Sequence, residues 1–62
     1  MWKYEVWQDG SCLTESDFIY ESAEEAEEEG VEAAEDKIAL WKIEGAYDGE
    51  TLEDFDIRLK ED

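Results

Sequence analysis

The chain has no His, no Pro and a single Cys, and its Lys and Arg together number five. Each shortage excludes something. Without His, the side chain that most often moves protons near neutral pH is missing, and so is the commonest metal ligand. One Cys cannot close a disulfide within the chain, which excludes a secreted scaffold held together by internal bridges. That thiol, Cys12, reads as a small half-buried strand residue. The lack of Pro fits a compact fold without extended linkers. No apolar stretch approaches the roughly 20 residues of a membrane span, and Met1-Trp2-Lys3-Tyr4-Glu5 does not read as a signal peptide. The expectation is a cytoplasmic protein that does not enter a membrane.

Against so few cations stand 21 Asp and Glu, giving a formal net charge of −16 on 62 residues. Solubility of a small domain needs only about 2–8 charges. Excess like charge destabilises the compact state, so solubility alone does not account for it. A surface this negative repels nucleic acid and anionic lipid and attracts basic protein grooves. The chain is not a disordered acidic tail, because three Trp, three Tyr and two Phe, with 42% apolar residues, can form a core. One domain spanning residues 1–62 is expected. A chain of this size buries only about 60% of its unfolded surface, which leaves little room for a catalytic cavity.

Trp2, Tyr4 and Val6 alternate with Lys3, Glu5 and Trp7, the period of a strand over about 2–8. Asp9-Gly10 suits a tight hairpin turn. A return strand is expected over about 12–20, with a bulge near Ser16-Asp17 to account for the contiguous Phe18, Ile19 and Tyr20. Ser22-Ala23-Glu24-Glu25 has the spacing of a capping box, and Gly45 supplies a stop, so one helix is expected over about 22–44. At 100° per residue, Ala23, Ala26, Gly30, Val31, Ala33, Ala34, Ile38, Leu40 and Trp41 share one side. The small residues among them imply close approach to a sheet. A break near Asp36, with residues 37–44 as a strand, is the competing reading. Phe55, Ile57 and Leu59 alternate with charged residues in a last strand over about 54–60. The elements read ββαβ, an α+β fold with a three-stranded antiparallel sheet in order 2-1-3. A right-handed crossover would pack the single long helix on one face.

Catalysis needs an activated nucleophile or a tuned acid–base pair, and neither is visible. The expectation is a non-enzyme with no cofactor. Asp48-Gly49-Glu50 with Glu53, Asp54 and Asp56 lacks the spacing of a calcium-binding loop, so no metal site is expected.

The outer helix side carries Glu24, Glu25, Glu28, Glu29, Glu32, Glu35 and Asp36. A charge run is usually a solvated face. Here, however, Glu24/Glu28, Glu28/Glu32, Glu25/Glu29 and Glu32/Asp36 are like-charged i,i+4 pairs. Each destabilises an isolated helix by roughly 0.2–0.5 kcal/mol, so four cost on the order of 1–2 kcal/mol. Neighbours of this kind lie about 5–6 Å apart, and same-face strand residues about 6.8 Å apart. Those spacings are of the order separating successive phosphates along one nucleic-acid strand.

In charge, size and shape, the seven outer helix acids from Glu24 to Asp36, Glu27 not among them, together with Asp48, Glu50, Glu53, Asp54 and Asp56 resemble the small DNA-mimic inhibitors of phages and mobile elements. Anti-CRISPR proteins and inhibitors of restriction enzymes are members of that class. The resemblance rests on no alignable motif. It implies that these twelve residues bind a basic, nucleic-acid-binding protein or complex, that the chain does not itself bind nucleic acid, and that it is a monomer or weak homodimer. Three other readings stand beside it: an ordinary domain of a halophile, an adaptor binding through Trp7 and neighbouring aromatics, and a small subunit neutralised in a permanent complex.

Overall fold

The computed structural model describes residues 1–61. Strand β1 (Trp2–Gln8) turns through Asp9-Gly10 into β2 (Ser11–Glu15); helix α1 (Ala23–Glu44) follows, and β3 (Asp56–Glu61) closes the sheet after a short 3-10 turn at Leu52–Asp54. The sheet is antiparallel in order β2-β1-β3, the α+β arrangement expected from the alternation. Asp9 and Gly10 take φ values of 49° and 80°, as a two-residue hairpin turn of the favoured hand requires.

Both ends of α1 are set locally. Ser22 Oγ accepts the Glu25 N–H at 3.1 Å. The reciprocal contact from the Glu25 carboxylate, expected from the box spacing, does not form among the described residues. It forms instead at the 3-10 turn, where Asp54 Oδ2 accepts the Thr51 N–H at 2.8 Å. At the other end Gly45 is left-handed, and the Ala46 N–H reaches back to the Trp41 carbonyl at 2.8 Å. The helix continues unbroken past Asp36, which excludes a strand over 37–44.

Ala26, Gly30 and Ala34 form the buried stripe of α1. Gly30 marks the closest approach, since a Cβ there would lie 2.7 Å from Ile57 Cγ2 and 3.2 Å from Tyr4 Cβ. Val6 is fully buried, and it packs with Ala34 and Phe55 among Tyr4, Leu13, Ile38, Trp41 and Ile57. Trp41 stacks on Phe55 with ring centres 5.9 Å apart. Small residues thus admit the sheet along one part of the helix, and aromatic bulk fills the wider gap near its C-terminal end.

Five expectations need correction. The strand expected over 12–20 ends at Glu15. Ser16 is buried, its Oγ accepting the Tyr4 N–H at 3.2 Å while its own N–H donates to the Tyr4 carbonyl at 3.0 Å. A side chain thereby takes over a ladder position, the chain arcs outward, and it rejoins the sheet through the single Trp2–Tyr20 bridge. The bulge expected near Ser16-Asp17 lies instead at Leu13: within β2, Val6 faces Thr14 and Trp7 faces Cys12, leaving Leu13 as an extra residue that packs on the core. Cys12 is exposed rather than half-buried. Leu40, placed on the apolar side, is 46% exposed: Trp41 takes the core position at that turn, and Leu40 lies to the side, bordering an open hollow with Thr14 and Lys37. The last strand starts at Asp56 rather than residue 54, since the 3-10 turn occupies Asp54.

Candidate functional site

Because the sheet takes the Ala26–Gly30–Ala34 stripe, the opposite side of α1 is left to solvent. Glu24, Glu25, Glu28, Glu32, Glu35 and Asp36 are exposed there, and Glu29 is half-buried. From Glu24 to Asp36 the helix holds them along about 18 Å of rigid rod. Glu32, Glu35 and Asp36 line one open hollow. The crowding is electrostatically visible at Glu29, whose carboxyl is pushed above its ordinary value, first by the negative charge of Glu32 and then by desolvation. The Tyr20 phenol is also raised, by desolvation first and next by the charges of Glu29 and Glu25. All seven helix acids therefore come together on one surface.

The acids of 48–56 do not join them as a single array. Asp48 and Glu53 are exposed. Glu50 is half-buried, and its Oε2 accepts the Asp48 N–H at 2.9 Å. Asp54 is occupied in capping the 3-10 turn. Asp56 lies on the sheet face away from the helix, where its Oδ2 accepts from Arg58 Nε at 2.8 Å. Two sequence signals could have separated them: the Thr51–Asp54 spacing of a cap, and the i,i+2 spacing that puts Asp56 beside Arg58 on one strand face.

Trp7 is half-buried on that same face, with the Arg58 guanidinium 4.1 Å from its ring centre and its indole N–H donating to Glu5 Oε1 at 3.1 Å. It is held in local contacts. The most exposed aromatic is Phe18, at 70%, on the excursion that follows β2. Among the described residues no three His, Cys, Asp or Glu are placed to hold a metal ion, and no helix is long and apolar enough to cross a membrane.

No family model, curated protein or solved structure matches this chain. What the site offers chemically is a preformed row of carboxylates on a rigid backbone. Such a row pairs with Lys and Arg without first having to order itself.

Proposed function

We propose that the protein is a non-enzymatic binding protein that mimics nucleic acid, occupying a basic DNA- or RNA-binding groove of a host protein such as a CRISPR-Cas or restriction complex. The observation that carries this reading is the outer face of α1. From Glu24 to Asp36 it presents carboxylates with no Lys or Arg interleaved, although cations are present elsewhere in the chain. Charge kept at a cost of helix stability is accounted for if a partner neutralises it. Exposed Asp48 and Glu53 add to the negative surface, whereas the carboxylates of Glu50, Asp54 and Asp56 are engaged within the fold. In this reading the seven helix acids do most of the binding.

The test starts from a pull-down of host lysate at low and high salt, with the captured protein identified and then assayed against its own nucleic acid. The chain should compete with that nucleic acid and lose affinity steeply with salt, because charge pairing releases condensed ions. Reversing Glu25, Glu28, Glu32 and Glu35 to Lys together should abolish competition in a protein that still folds. Single Glu→Gln changes should have small effects. A folded quadruple variant that competes normally would reject this face. Loss of binding on removing Phe18 or Trp7 instead would install the adaptor reading in its place.

A further inference from the structure

Between the C-terminal half of α1 and the segment after it lies an open groove of about 370 Å³. Ile38, Ala39, Tyr47 and Leu52 give it an apolar lining, and Glu35 and Glu50 also border it. It brings Glu35 of the helix face and Glu50 of the segment after α1 to one groove. Ile38 packs on the core, but the rest of the lining is open: Ala39 is exposed, Tyr47 is 39% exposed and Leu52 is 44% exposed.

The far wall is held in place. The Tyr47 hydroxyl donates to the Glu50 carbonyl at 3.1 Å, and the Asp48 N–H donates to the Glu50 carboxylate. Lys42 Nζ sits 4.8 Å from the Tyr47 ring centre, so the groove's own cation is drawn to an aromatic face. Thr51 and Asp54 cap the turn that carries Leu52. A preformed apolar depression bordered by carboxylates favours an aliphatic side chain flanked by cations.

We infer that this groove receives one aliphatic side chain from a Lys- or Arg-rich segment of the partner, and that it gives the acidic surface its selectivity. The inference rests on the basic partner proposed above. Charge alone cannot distinguish one basic surface from another, whereas an apolar pocket set within the charge can.

Two capped nonapeptides test it: four lysines, one leucine and four lysines, and the same peptide with serine in place of leucine. Titrated into the protein at 0.15 M salt and followed by amide chemical shifts, the leucine peptide should bind about 5- to 10-fold more tightly. Its extra perturbations should centre on Ala39, Tyr47 and Leu52. Ala39→Gln, an exposed helix position, should erase the preference while leaving the affinity for the serine peptide unchanged. Leu52→Ser should do the same if it folds. Equal affinity for both peptides would overturn the groove and leave the acidic surface standing. Failure of both peptides to bind would remove the charge recognition as well. Leucine-specific shifts at Phe18 and Ile19 would overturn the assignment in favour of that patch. Concentration-dependent shifts in the groove without peptide would assign it to a second copy of the chain.

Discussion

On the outer face of α1, seven carboxylates stand between Glu24 and Asp36 with no cation among them. On the uncovered face of the sheet, Arg58 meets Asp56 at 2.8 Å and lies over the Trp7 ring, while Glu5 takes the indole N–H. Lys3 and Lys60 face one another on the same two strands, so this side holds three of the five cations. One face compensates its charge within itself and the other does not. A protein made acidic only by its environment would be expected to be acidic all round. The segregation seen here supports a specific demand on the helix.

The largest expected effect lies in the seam between the two faces. Trp41→Ala should destabilise the fold by about 3–5 kcal/mol, because the ring stacks on Phe55 and closes the core at that end. Thermal unfolding of the variant checks this, and an unchanged midpoint would put Trp41 outside the core. Gly30→Ala opposes two terms. It should gain up to about 1 kcal/mol of helix propensity, yet its methyl would meet Ile57 Cγ2 at 2.7 Å. Overpacking of about 1–3 kcal/mol should win, lowering stability by roughly 1–2 kcal/mol net. A more stable variant would show that Ile57 and Tyr4 yield readily and that the seam is loosely packed.

The smallest effects compare the faces directly. Arg58→Ala should cost roughly 0.5–1 kcal/mol through its lost contact with Trp7. Glu29→Gln should instead raise the midpoint, and the gain should shrink with added salt. The sign follows from linkage. Glu29 titrates higher in the folded protein than its ordinary 4.5, so its contribution is fully present below the unfolded value and is lost as pH rises through the folded one. Wild type should therefore gain stability as pH falls from 7 toward about 4.5, and Glu29→Gln should flatten that rise. Tyr4 and Tyr20 are also raised above their ordinary 10.0, chiefly by desolvation, so both favour the fold until pH climbs through their folded values. If Arg58→Ala and Glu29→Gln shift stability in the same direction, the contrast between the faces is wrong.

The helix was legible down to its caps, because Ser22, Gly45 and the spacing of Ala26, Gly30 and Ala34 act within one or two turns of chain. Strand β1 and the sheet order were equally readable from alternation and the Asp9-Gly10 turn. The return strand was not, because its end depends on Ser16 meeting Tyr4 twelve positions earlier. The seven helix acids were found by period alone, whereas Asp56 was grouped with them although a neighbour on its own strand claims it. The groove carried no signal in the chain, since Ala39 and Leu52 become neighbours only when the segment after α1 folds back.

By itself, then, the sequence determined the helix, the first strand and the order of the sheet, and that one side of α1 would carry unbroken negative charge. Both follow from periodicity and capping, which are short-range. Only the tertiary structure decided how much of each apolar side would be covered, leaving Ile43 at 83% exposure and Val6 at none. It also decided which carboxylates would be drawn into the fold's own contacts and which would be left for a partner. Those outcomes depend on the width of a three-stranded sheet and on contacts between residues far apart in the chain, which local pattern does not encode.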